Sequence, residues 1–476
     1  MKITSRAFNL SDPRFPREST LRGYELMQQM LRLHSPYGLV REMSMVQVGK
    51  VLEGRLAPMD VDVYLDFASH GARLTGGVWA RLGPGGKGRT PSHAIMSALG
   101  ETVERLIPVF TQQIREADIR YETPRTLREA GVPIPPIELL APLHPRQFDE
   151  LLDLDPITDD SEFGWIPATT LIHKRPTMVP AQQVCFRYRL RQQDPSFVAS
   201  TSVGLAAGTT PENAVLGAIN ELVERDAIGL SWHSNLPIQR VPLDQIDLGP
   251  QAAAVVEMLQ RNYPDIVVLR HLTDLDEFTV ISVHRMAGAN LPCAFSAGSC
   301  ASVDPAKAFL GAAIEFFQSE NSALITRQLG HWQTDADEAS FNPDQMERDA
   351  IETVNDRMTY YGVPQNYERV RPRLEPDATC SLVQSPPTEE SELARVLGCF
   401  ERRGIDPIVY HYGTAPLFAD GGIHTARVMI PELTLPHVPP YRFLGHPRYY
   451  SARRSLGLSS DLDTFDTLCH EENPFP

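Results

Sequence analysis

The feature that most restricts this chain is a helix-opening pattern that occurs three times within 476 residues. Thr90-Pro91 is followed by Ala94, Ser97, Ala98, Glu101, Glu104 and Arg105. Thr210-Pro211 is followed by Ala214, Gly217, Ala218, Glu221, Glu224 and Arg225, and Asp304-Pro305 by Ala308, Gly311, Ala312, Glu315 and Gln318. Each copy begins as a helix should. The Thr or Asp side chain accepts from an orphan amide, and proline is tolerated next because its missing N–H had no partner. A pattern repeated in this way predicts three similar helices. Residues three apart share a helix face, so Glu101 with Glu104, Glu221 with Glu224, and Glu315 with Gln318 project together.

The surroundings of these acids are apolar: Ile95, Met96, Leu99 and Leu106 in the first copy, and Val215, Leu216, Ile219, Leu222 and Val223 in the second. Carboxylates set among such residues are costly unless paired or metal-bound. A structural ion-pair network through Arg105 and Arg225 is one answer. A shared cation is the other, and the repetition favours it. Oxygen donors without a His or Cys cluster select magnesium over zinc, with Glu101, Glu104, Glu221, Glu224 and Glu315 as the expected ligands. Magnesium held by a few carboxylates keeps its other positions for water and nucleotide phosphates. Gly217 and Gly311 each cost about 1 kcal/mol in a helix interior, which predicts a close approach at both positions. The run Gly83-Pro84-Gly85-Gly86-Lys87-Gly88 lacks Walker spacing and reads as a turn presenting amides and Lys87 toward anions.

Sixty acidic against forty-four basic residues leave a net charge of −16, which argues against a nucleic-acid partner. No segment approaches the ~20 apolar residues of a membrane span, and the N-terminus has no apolar signal core. The six cysteines include no CxxC pair and read as reduced thiols of a cytoplasmic protein. Periodicity predicts an opening helix over 18–33, strands through 46–82, and the first acidic helix over 91–107. A long surface connection over 131–162 is expected next, then strands over 165–170 and 178–188. Strand and helix are expected over 266–283, and polar loops over 334–348 and 371–392. The expected organisation is an N-terminal α/β segment over 1–82, a core over 83–400 carrying the acidic helices, and a C-terminal segment over 401–476. The lone His233, His437 and His470 are given no role.

Taken together, these residues resemble the YcaO superfamily from about residue 35 to the end. The family's SxxxExxER signature is unbroken as Ser97, Glu101, Glu104 and Arg105, after its Gly-Lys-Gly element. Gly204-Leu-Ala-Ala-Gly208, Glu221-Leu-Val-Glu224-Arg225, Trp165-Ile-Pro-Ala-Thr-Thr-Leu, Glu315-Phe-Phe-Gln318 and Arg427-Val-Met-Ile-Pro431 are most similar to the azoline-forming cyclodehydratase branch. The resemblance implies an α+β fold with mixed and antiparallel sheets and three acidic helices converging on a nucleotide and magnesium cleft. It implies a cyclodehydratase using ATP and Mg2+ to phosphorylate a backbone amide oxygen of a ribosomally made precursor peptide, closing a thiazoline or oxazoline. Thioamide or amidine formation, and a degenerate scaffold subunit, are the alternatives. A substrate-presenting, ubiquitin-activating-like partner protein is expected, as is a homodimer.

Nucleotide contacts are expected from Lys87, Ser97, Arg105, Thr209, Asn213, Arg225 and Gln318. Arg105, Arg225 and the terminal carboxylate of Pro476 are the expected catalytic groups. The chain departs from the family at Ala206, Thr209, Asn213 and Gly217, where Ser, Asn, Glu and Gln are usual, and at Gly311, where an arginine is usual.

Overall fold

The computed structural model describes residues 2–3, 40–46, 59–65, 85–88, 91–148, 154–285, 294–329, 351, 354–414, 423–435, 437, 441–458 and 464–475. The expected opening helix over 18–33, the loop over 334–348 and Pro476 lie outside them.

The three repeated segments form the long helices α1 (Pro91–Ile114), α2 (Pro211–His233) and α3 (Pro305–Leu329). Thr210 caps α2 by accepting from the Asn213 amide, and Asp304 caps α3 by accepting from that of Ala306. Helix α1 continues seven residues past the expected end, through Pro108.

Three principal sheets surround the helices. An antiparallel sheet runs in the order Lys2–Ile3, Val40–Val46, Met59–Leu65, Gly85–Gly88. The glycine-rich segment expected as a turn is therefore a strand of that sheet, paired with Asp60 through its Lys87. A second sheet orders Arg120–Glu122, Phe163–Thr170, Ile408–Thr414, His424–Met429 and Leu205–Gly208, with Pro176–Pro180 also paired to Phe163–Thr170. The third orders Ala297–Ser302, Thr279–Arg285, Ile266–His271, Ile238–Arg240 and Ala378–Thr379, the last pair parallel and the rest antiparallel. Two expectations need correction. The strand from 178 stops at Pro180, where Ala181–Val184 turns into a short helix. The connection over 131–162 is not all surface, because Leu140, Leu143 and Leu154 are buried and short helical turns form at Ile137–Leu139 and Pro145–Gln147.

Each acidic helix follows directly on a strand, so the repeat is a strand–helix unit: Gly85–Gly88 with α1, Leu205–Gly208 with α2, Ala297–Ser302 with α3. The units close a ring. Gly85–Gly88 packs on α1 and α3, Leu205–Gly208 on α2 and α1, and Ala297–Ser302 on α3 and α2. Glycines permit the closeness: a Cβ on Gly298 would fall 2.1 Å from the Phe316 amide nitrogen, and one on Gly208 2.5 Å from that of Ala214. Apolar cores lie between α2 and the second sheet (Val215, Ile219, Val428) and between α3 and the third (Phe309, Phe316, Ile281).

Candidate functional site

The ring of strand–helix units brings the carboxylates of α1, α2 and α3 into one another's fields. Each strand grips an acid from the preceding helix in the ring. Lys87 places its ammonium 3.3 Å from Glu315 of α3. The Ala207 amide donates to Glu104 of α1 at 3.3 Å, and the Ser299 hydroxyl donates to Glu224 of α2 at 2.7 Å. Within their own units, the Gly204 amide donates to Glu221 at 2.9 Å and the Ser299 amide to Glu315 at 3.0 Å. The two arginines attend their own helices: Arg105 pairs with Glu101 one turn away at 2.5 Å, and Arg225 stands 3.6 Å from Glu224.

The electrostatics are those of a crowded, poorly solvated acid cluster. Burial, with repulsion from Glu221 and Glu101, holds the Glu104 carboxyl well above the ordinary carboxylate range. Burial also raises Glu221 against the pull of Arg225. Burial pushes Glu224 up to about 7 despite Arg225, with Glu315 adding to the rise. Glu315 goes the other way: burial would raise it, but Lys87, then Arg225 and the Ser299 amide, hold it below the usual range. Lys87 is the reciprocal case, its ammonium favoured by Glu315 and Glu224 in spite of burial.

This donor set suits a hard cation, since a divalent ion would relieve the repulsion that burial enforces. Among the described residues, no three carboxylates, thiols or imidazoles are gathered as a ready-made cage. Magnesium does not require one, because it binds through one or two carboxylates and completes its octahedron with water and phosphate oxygens. The interacting pairs Glu104 with Glu221, and Glu224 with Glu315, supply that kind of partial site.

The other expected residues divide. Ser97 and Gln318 are half-buried on α1 and α3, each within one turn of a clustered acid. Thr209 and Asn213 are exposed at the start of α2 and face each other at 3.4 Å, Asn213 standing two turns before Glu221, about 12 Å along the axis. Pro476 lies outside the described residues, but the segment before it is buried, with Phe475 2% exposed.

Three residues given no role from the sequence belong to the same neighbourhood. Ser299 bridges Glu224 and Glu315. Cys300 is a thiol next in sequence to Ser299, pushed far up by burial and by Glu224 and Glu315. Arg427 is buried on the strand His424–Met429, donates to the Thr201 carbonyl at 2.8 Å, and lies in the field of Glu221 and Glu104. A charge inside the apolar run Ala426-Arg427-Val428-Met429-Ile430 was the sequence signal for Arg427. His233 and His437 stack in the core with ring centroids 4.2 Å apart, and His470 is exposed.

Comparison with known proteins bears on the fold and the family. The model of the YcaO cyclodehydratases, described as ATP- and Mg2+-binding, matches residues 85–434. A protein of uncharacterised function from Methanothermobacter thermautotrophicus is 25% identical over 370 residues, 75% of this chain and 83% of its own length. A heterocyclase solved in complex with substrate and cofactor superposes with a TM-score of 0.70 at 21% identity. That match covers 95% of this chain and 57% of the heterocyclase, so the chain spans little more than half of its length. A YcaO from Methanopyrus kandleri, bound with AMPPCP and Mg2+, superposes with a TM-score of 0.58 at 17% identity over 90% of this chain and 96% of its own. At these identities the two solved structures establish a shared fold. With the family model spanning well over half of its length, this chain belongs to the YcaO family.

Proposed function

We propose that the protein is an ATP- and Mg2+-dependent cyclodehydratase that activates a backbone amide of a ribosomally made peptide and closes an azoline ring. The observation that carries this reading is the convergence of α1, α2 and α3 on one partly buried carboxylate cluster that also holds Lys87 and Arg225. In this reading Glu104 with Glu221, and Glu224 with Glu315, hold magnesium, and Glu101 orients Arg105. Bound nucleotide supplies the phosphoryl group that converts the amide oxygen, a poor leaving group, into a good one. Lys87, Arg105 and Arg225 provide fixed positive charge where negative charge accumulates, so little reorganisation is needed during reaction. Ser97 and Gln318 offer hydrogen bonds to the nucleotide. The heterocyclase likeness supports the choice of an azoline product, and a separate protein presents the precursor peptide.

A second reading, a scaffold subunit that turns over no ATP, draws on the exposed positions of Thr209 and Asn213 and on the lack of a cation at Gly311. One experiment separates the two. The purified protein is incubated with ATP, Mg2+ and a Cys-containing precursor peptide with its presenting partner, following phosphate release and peptide mass. Loss of one water from the peptide per phosphate released is expected. Absence of nucleotide binding and turnover would favour the scaffold.

A further inference from the structure

The last described residues do not fray; they are strapped along α2. The Cys469 amide donates to the His233 carbonyl at 2.9 Å, while the Cys469 carbonyl lies 2.6 Å from His233 Nδ1. The Trp232 indole donates to the Glu471 carbonyl, and the Tyr361 hydroxyl to that of Glu472. Phe475 packs in one cluster with Ile228 and Trp232. Arg225, Ile228 and Trp232 are spaced three and four apart, so the strap follows the helix face that begins at Arg225.

Within the strap, Glu472 is the buried charge. Its carboxylate, 3% exposed, meets Arg442 at 3.0 Å and Arg357, 4% exposed, at 3.7 Å. Burial lowers Arg357 to about 10 against the pull of Glu472, with the like charge of Arg225 adding to the fall. A carboxylate in the tail therefore offsets a guanidinium whose charge is felt by Arg225, the cation beside Glu224.

We propose that Glu472 is a positioning residue: by latching the C-terminal strap onto Arg357 and Arg442, it fixes the charge balance that the Arg225 face of α2 presents to the carboxylates. This rests on the acid cluster being a magnesium and nucleotide site. Replacing Glu472 by a neutral residue leaves the Arg357 charge uncompensated, so the cluster becomes more positive. A cation should then bind less tightly and a metal-free polyanion more tightly, whereas simple loosening of the fold would weaken both.

The test is titration calorimetry of the full chain with Mg2+ alone and with ATP in the presence of chelator. Glu472→Gln should weaken Mg2+ about tenfold and tighten metal-free ATP several-fold. Adding Arg357→Met should return both toward wild type. Should Glu472→Gln fail to fold, Arg442→Gln at the half-buried end of the latch serves instead, with both shifts reversed in sign. Affinities that stay unchanged, or that fall together without recovery in the double variant, would overturn the latch while leaving the site intact. A wild type that binds neither ligand would overturn the site and the latch with it.

Discussion

Gly311 and Gly217 account for themselves once the strands are in place. A Cβ on Gly217 would lie 3.2 Å from that of Ala206, and one on Gly311 would lie 2.6 Å from Cys300 Sγ and 3.0 Å from its Cβ. Ala206 and Cys300 both stand five residues before their unit's proline, so the two glycines answer equivalent positions of the repeat. The helix-interior cost of glycine is thus offset by close strand packing, and at Gly311 the space is filled by a thiol rather than left for a cation. Gly311→Arg should consequently destabilise the protein by about 1–3 kcal/mol without improving nucleotide affinity, as read by chemical denaturation and calorimetry. Combining it with Cys300→Gly should recover most of that stability. Glu224 carries a pH dependence. Its folded pKa, raised to about 7, exceeds the ordinary carboxyl value. The folded state therefore holds the proton more tightly, and this group's contribution to stability falls as pH rises from about 4.5 to 7. Glu224→Gln should stabilise the metal-free protein near pH 8, by on the order of 2 kcal/mol, and flatten that part of the pH profile. The same variant should abolish ATP-linked activity, and retained turnover with normal magnesium dependence would contradict the assignment.

Helix α2 is the element on which the rest depends, and its far side is fastened by a buried ionic network. Asp226, fully buried, accepts from the Thr434 amide and hydroxyl and pairs with Arg448 at 2.8 Å, which also reaches Asp274 at 2.6 Å. The network ties α2 to the helix Pro447–Ser455 and to the loop between Ile266–His271 and Thr279–Arg285 of the third sheet. Arg448→Met would leave buried Asp226 without its cation and Asp274 with Arg403 alone at 3.3 Å, and should cost about 3–5 kcal/mol in urea unfolding. Replacing Asp226 and Asp274 by apolar residues together with it should cost far less. The three acidic helices were legible in the sequence because caps, proline, small residues and acids recur at fixed local offsets. What grips the acids was not legible. Ala207 acts through its backbone amide, which no residue type announces, and Ser299 reaches Glu224 across 75 residues of chain. The strand Gly85–Gly88 reads as a turn in the sequence because glycine signals conformational freedom, and its partner Met59–Leu65 lies some way upstream.

At the scale of the molecule, three strand–helix units close on one another and place acids of three distant segments in a common, poorly solvated space. The segment after residue 401 is part of that construction: Ile408–Thr414 and His424–Met429 lie in the interior of the second sheet, and the strap 468–475 lines α2. Among the described residues no helix is long and apolar enough to cross a membrane, and the described cysteines are free thiols. In the proposed function the carboxylate cluster is where metal and nucleotide meet. Crystals of the protein grown with Mn2+ and AMPPCP, measured for anomalous scattering from manganese, test it most directly. Anomalous peaks are expected among Glu104, Glu221, Glu224 and Glu315, with the nucleotide phosphates facing Lys87 and Arg225. Manganese and nucleotide bound elsewhere, with these carboxylates still holding only one another and their present partners, would contradict it.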